Sequence, residues 1–234
     1  MPLTQRVLFG SLEHLLPIIL AIGFGFLIIV YSKKQTLKTQ HLIFNLLGVL
    51  VSGIMVLFHL YQIGFTTYNL QTDLPLFLCS FMGLFIVVFT VSKSYLLFEI
   101  LLFWIILGTI QGVITPDIAI GFPSFDYFRY WIVHLGLILI ILYAISVLKF
   151  KPTLKSVVKS FLVLQVYALI LMAINYLLNS NYSYLNKKPI SASVLDYLGD
   201  WPYYIIKVEV MLLPAFLIVY LPFHLFGKQS VKTQ

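Results

Sequence analysis

Charge is scarce in this chain. Only 10% of its 234 residues are Asp, Glu, Lys or Arg, where a soluble domain carries about a quarter. With 61% hydrophobic residues and a mean hydropathy of +1.00, that scarcity argues against a soluble fold. Cysteine is scarcer still. Cys79 stands alone, which excludes an intrachain disulfide and any multi-cysteine metal site. Neither G-x-x-x-x-G-K-[ST] nor G-x-G-x-x-G occurs, so ATP hydrolysis by this chain is excluded. Alternation of period two is absent and the apolar runs are too long for porin-like strands. No internal repeat is evident. Acids are the rarer sign, 8 against 15 bases. The resulting +7 does not imply nucleic acid, because in a membrane protein the bases gather in loops facing anionic lipid and the cytoplasm.

What is present is a series of long apolar runs, at 13–31, 42–64, 74–92, 94–113, 129–149, 157–178 and 203–225. At roughly 20 residues per crossing, they predict an all-α bundle of seven transmembrane helices and one transmembrane domain over residues 1–234. The first run is too long for a cleavable signal peptide, and no A-x-A site follows it. The third and fourth runs, separated by Val91-Ser92-Lys93-Ser94, are expected to form a tight helical hairpin. Lys33, Lys34, Lys38, Lys93, Lys149, Lys151, Lys155, Lys159, Lys228 and Lys232 fall on one side. Arg6, Arg129, Lys187, Lys188 and Lys207 fall on the other. The positive-inside rule then places the N-terminus outside and the C-terminus in the cytoplasm. The two longest connections, 114–128 and 179–202, become external. Both mix Gly, Pro, Asn and Ser with aromatic residues, as in loops that fold back at headgroup level.

Depth along each run organises the polar residues. His14, His59, Cys79, Gln111, Tyr130, His134, Asn175, Lys207 and Glu209 all fall toward the outer ends, and Asp117 follows just after the fourth run. A charge in hydrocarbon costs about 2.5–3.5 kcal/mol on insertion scales, so such groups turn toward the bundle interior and one another. One outward-facing polar cavity is therefore expected. The competing reading is that each side chain snorkels to the interface from a helix end. Asn45, Ser52 and His59 recur at intervals of seven, which marks one helix face. That stripe could line the cavity floor or serve as interhelical hydrogen-bonding glue. Gly108 and Gly112 form a G-x-x-x-G spacing that permits close helix approach.

Cys79 and His134 are a thiol and a base, with Asp117 available to orient the imidazole. A free cysteine can equally be inert packing. His14, His59 and His134 with Asp117 or Glu209 could instead bind zinc or iron. An H-x-x-x-H pair is lacking, so no metal or other cofactor is expected.

Several segments bear on family. They are Ser11-Leu12-Glu13-His14, Leu74-Pro75-Leu76-Phe77-Leu78-Cys79, Gln111 to Asp117, Gly121-Phe122-Pro123-Ser124 and His134-Leu135-Gly136. Tyr184 to Pro189 and Leu198 to Tyr203 complete the set. In order and wording they resemble the YwaF family of bacterial multi-pass membrane proteins, although that family typically has histidine where Phe77 stands. The resemblance implies a seven-span fold in the bacterial plasma membrane. At longer range it implies similarity to eukaryotic transmembrane lipid acyltransferases with a cysteine acyl carrier. Their Pro-Cys-His arrangement would fall near Leu76 and Phe77. The expectation is thus a membrane protein that binds lipid and transfers an acyl group. Cys79 would be the carrier, His134 the base and Asp117 its orienting group. His14 and His59 would shape the pocket, with Gln111, Tyr130, Asn175 and Glu209 also in it, and Lys207 would attract a lipid phosphate or carboxylate. Membrane lipids are the expected partners. A small-solute transporter or a non-enzymatic membrane partner subunit is the alternative.

Overall fold

The computed structural model describes residues 6–189 and 193–227. The described residues are helical, without strands. Seven helical stretches follow in order: α1 (Leu12–Lys33), α2 (Leu37–Phe65), α3 (Leu78–Ser92), α4 (Tyr95–Ile114), α5 (Phe125–Ser146), α6 (Leu154–Leu178) and α7 (Tyr203–Gly227). Six are long and apolar enough to cross a membrane, and α3, with 15 residues, is shorter. The chain is a multi-pass membrane protein. Lys228 and Lys232, which entered the charge count, lie outside the described residues.

Polar caps set the helix starts, and they move several boundaries away from the apolar runs. The Thr36 hydroxyl accepts from the Thr39 N–H, so α2 begins five residues before its run. Ser124 caps α5 by accepting from Tyr127 N at 3.0 Å. Thr153 N donates to Ser156 Oγ at 2.9 Å at the start of α6. α3 starts later than its run, since Leu74-Pro75-Leu76-Phe77 forms a turn and leaves only Phe77, which offers no capping side chain.

The expected α3–α4 hairpin is made by contacts at its tip and at the Leu78–Cys79 end of α3, not along its whole length. Lys93, with φ 53°, turns the chain, after which α3 packs chiefly on α2 while α4 packs on α6. Small residues explain the choice of partner. Gly48 of α2 lies under Thr90 of α3, and a Cβ there would come within 1.9 Å of Thr90 Oγ1. Ser52 Oγ donates to Gly83 O at 3.0 Å and accepts from Val87 N at 3.2 Å, inserting between two backbone groups of α3. Asn45, its amide nitrogen turned to the carbonyls of His41 and Thr90, spans the same seam. Gly48→Ala should therefore push the two helices apart and cost about 1–3 kcal/mol by overpacking. Thermal unfolding in detergent checks this, and an unchanged midpoint would show that Thr90 simply rotates away.

Most of the core comes from α2, α3, α4 and α5, around Phe44, Phe89, Phe98, Phe103 and Tyr143. α5 is the central element, with 56% of its apolar window buried against 11% for each of α1 and α7. The outer two helices therefore present most of their apolar surface outward, as lipid-facing helices do.

At about 1.5 Å per residue, α3 is roughly 22 Å long beside an α2 of roughly 43 Å. It is level with its neighbours at the Lys93 end and falls short at the other. The shortfall is roofed by the 66–77, 115–124, 179–189 and 193–199 segments, and a hollow lies beneath.

Candidate functional site

The hollow has a volume of about 1070 Å³ and is walled by α2 through α7. Its loop end presents Asp73, Asp117, Asp126, Arg129 and Tyr184, while Leu164, Ala168, Leu171, Leu212 and Ala215 line its deep end. Of the residues singled out by depth, His59, Cys79, Gln111, Asp117, Tyr130, His134 and Glu209 all line it.

His134 is buried on α5, one turn after Tyr130, whose ring stacks on it with centroids 3.9 Å apart. Its Nδ1 lies 2.8 Å from Tyr130 O. A carbonyl only accepts, so Nδ1 carries the proton and Nε2 of the neutral ring holds the lone pair. Nε2 has no protein partner among the described residues. Gly112 makes room for that edge of the ring, since a Cβ there would lie 2.9 Å from Nε2. The G-x-x-x-G spacing thus does two things: Gly108 admits Leu78 of α3, and Gly112 admits His134.

Cys79 is the second residue of α3. Its Sγ lies 3.7 Å from Thr109 Oγ1, at the end of a π-helical turn, Ile105–Thr109, inside α4. Such turns recur at functional sites in helices. Phe77 supplies no capping side chain for the first N–H groups of α3, and Phe77, Leu78, Cys79 and Ser80 line the cavity. No hydrogen bond joins Cys79 to His134 among the described residues.

Asp117 is placed differently from the triad expectation. Its carboxylate pairs with Arg6 and accepts from Tyr184 Oη at 2.9 Å. It reaches His134 only indirectly, its backbone N donating to Tyr130 Oη at 3.3 Å. Orientation of the imidazole comes from the Tyr130 carbonyl. Burial, then Asp117, raises the Tyr184 phenol above its ordinary range, so it remains a donor to that carboxylate at neutral pH.

Three expected pocket residues lie outside the cavity. His14 uses both ring nitrogens, Nδ1 accepting from Gly10 N and Nε2 donating to Val113 O, each at 2.9 Å, and so clamps the start of α1 to the end of α4. Asn175 is buried and holds the loop after α6, bonding Ser180 Oγ and both backbone groups of Tyr182. Lys207 is exposed on the outside of α7. Depth along a helix says nothing about azimuth, and all three point elsewhere. With His14 removed, the proposed set of metal ligands loses a member. Among the described residues no group of three His, Cys, Asp or Glu could hold a metal ion.

Arg129 and Asp126 also line the cavity, although Arg129 stands at the first position of the fifth apolar run and Asp126 before it. Ser124, a capping residue before an aromatic stretch, was the signal that the helix begins earlier. Arg129 pairs with Asp126, and its guanidinium carbon lies 4.7 Å from the centroid of the Phe58 ring. Glu209 accepts from Gln165 Nε2 at 2.8 Å.

A model of the TMEM164 family matches residues 8–220, from before α1 into the last turns of α7, so the whole cavity lies inside the match. The chain belongs to the TMEM164 family. This overturns the resemblance to the YwaF family, which short segments in a shared order had suggested. No curated protein and no solved structure matches the chain. Within this TMEM164-family chain Phe77 also lines the cavity, packed against Tyr182 and Tyr184 at centroid distances of 5.4 and 5.3 Å.

Proposed function

We propose that this TMEM164-family protein binds a membrane lipid in the cavity and transfers one of its acyl groups through Cys79. One observation carries the reading: a single cavity of about 1070 Å³ is apolar at its deep end and holds both Cys79 and the free Nε2 edge of His134. That volume sits at the top of the usual range for ligand sites, about 300–1,000 Å³. In this reading Nε2 takes the Sγ proton and the thiolate attacks the ester carbonyl. The carbonyl oxygen becomes an oxyanion, and the N–H groups at the start of α3, which have no side-chain cap, are donors suited to such a charge. The ester C–O bond then breaks, the leaving hydroxyl takes the proton from His134, and the acyl group remains on sulfur. An acceptor hydroxyl completes the transfer.

Among the described residues the lining carries Asp73, Asp117, Asp126 and Glu209 and, of Lys and Arg, Arg129 alone, with Arg6 reaching Asp117 from outside the lining. A lipid head bearing a cation fits that balance better than a purely anionic one, the reverse of the role first given to Lys207. Filling the deep end tests lipid binding. Ala168→Trp should strip the phospholipid that co-purifies with wild-type protein, as measured by mass spectrometry of extracts, whereas Val158→Trp on the exposed face should not. Equal lipid in both variants would refute the site.

The same reading takes α3 as a seventh crossing, with its missing turns made up by the roofing loops. It places the protein in the cell membrane with the N-terminus and cavity outside and the C-terminus in the cytoplasm. An impermeant maleimide applied to intact cells in a Cys79→Ala background should label Lys187→Cys and spare Lys34→Cys, both exposed positions on opposite ends of the bundle. The opposite pattern would reverse the orientation.

A further inference from the structure

A second histidine faces the same cavity with its chemistry equally constrained. His59, near the loop end of α2, lies with Nδ1 3.4 Å from Tyr68 Oη. Tyr68 Oη donates its own proton to Asp73 O at 3.0 Å. Its oxygen can therefore only accept from the ring, which puts the proton on Nδ1 and the lone pair on Nε2. His59 Nε2 is buried and has no partner among the described residues. A buried acceptor left unpaired carries a free-energy cost that calls for an explanation. Here the explanation is a donor that arrives with the ligand, because His59 is part of the cavity wall.

The position of Arg129 relates the two histidines. Its guanidinium carbon is 4.7 Å from the Phe58 ring centroid and 6.0 Å from that of Tyr130. Phe58 packs edge-on against His59, and Tyr130 stacks on His134. Arg129 thus contacts the ring that packs on each histidine, and each histidine has its Nδ1 proton held by an oxygen and no partner for Nε2 among the described residues. The His134 side belongs with Cys79, and the His59 side belongs with Asp73 at the loop end.

We propose that His59 is the base for the second half of the transfer, removing the proton from the acceptor hydroxyl as that oxygen attacks the thioester on Cys79. This rests on the acyl-transfer reading. A new C–O bond forms, the C–S bond breaks, and the electron pair returns to sulfur. The proton on His59 passes to water, and the thiolate recovers one from water, so the cycle closes without any other reactant. His134 serves the first half and His59 the second.

The test separates the halves in purified full-length protein, with phosphatidylcholine labelled in its acyl chain as donor and lysophosphatidylcholine as acceptor. His59→Gln should form the hydroxylamine-sensitive adduct at close to the wild-type rate and pass it to the acceptor about 100-fold more slowly, the lower end of what a positioned base contributes. The adduct should accumulate. Tyr68→Phe removes the oxygen that holds Nδ1–H, and should slow only the second half, by about 10-fold. Normal transfer by His59→Gln, or loss of the adduct together with transfer in both variants, would overturn the assignment to the second half. Absence of any adduct in wild-type protein would instead bring down the acyl-transfer reading itself, a result seen before either variant is made.

Discussion

Cys79→Ala and Cys79→Ser should each lose the proposed acyl transfer entirely, and His134→Ala should slow it by about 10²–10⁴-fold. Serine does not rescue, because a hydroxyl is far less ionised than a thiol near neutral pH. The order of the effects matters more than their size. The adduct formed from labelled phospholipid should vanish in both Cys79 variants and form slowly in His134→Ala. If Cys79→Ala retains transfer while His134→Ala loses it, the thiol is packing against Thr109 and the imidazole activates the lipid hydroxyl directly. An adduct that persists in Cys79→Ala would place the nucleophile elsewhere.

A comparably large effect is expected at the opposite end of the bundle, this time on stability. Glu99 of α4 is 2% exposed, and its two oxygens accept from Ser156 Oγ and Lys159 Nζ of α6, each at 2.6 Å. Lys159→Ala leaves a carboxylate in the core with one hydroxyl for company. Breaking a buried pair from one side costs about 3–5 kcal/mol. The lysine side chain is 47% exposed, so the share lost to solvent screening brings the expected cost to about 2–3 kcal/mol. Adding Glu99→Gln should recover most of it, since a neutral amide needs no counter-ion and still accepts from Ser156. Thermal unfolding of both single variants and the double variant in detergent gives the coupling. A double variant no more stable than Lys159→Ala would mean that Lys159 acts through its packing on α4.

Hydropathy alone located the six helices long enough to cross a membrane and the shorter α3, because an apolar run too long for a buried strand has few other uses. It did less well at their ends. Thr36, Ser124 and Thr153 are polar residues that belong to the helix as caps, and an apolar window stops short of them. Pro75 had the opposite effect, falling inside a run that the backbone does not follow. Depth along the runs picked out His59, Cys79, Gln111, Tyr130, His134 and Glu209, which line one cavity. Each is a polar group on an inward face, and the cost of burying it unpaired draws such groups together. It failed for His14, Asn175 and Lys207, where the same depth is reached on another side of the helix. The engagement of Asp117 with Arg6 and Tyr184 was not legible, since it joins segments 111 and 67 residues apart in the chain. The choice of α2 over α4 as the partner of α3 was hidden for a similar reason. It depends on Gly48 and Ser52 meeting Thr90 and Gly83, not on the short turn at Lys93.

The brevity of α3 has a consequence for the proposed acyl transfer. Backbone N–H groups cannot be left open at membrane depth unless they lie within protein or border an aqueous space. The uncapped start of α3 therefore requires hydration of the loop end of the cavity whenever no ligand is bound. An acyl thioester on the second residue of that helix would form beside water, a competing acceptor. Selectivity for transfer over hydrolysis then depends on how completely the incoming lipid head displaces that water, and a poorly fitting acceptor would turn the protein into a lipase.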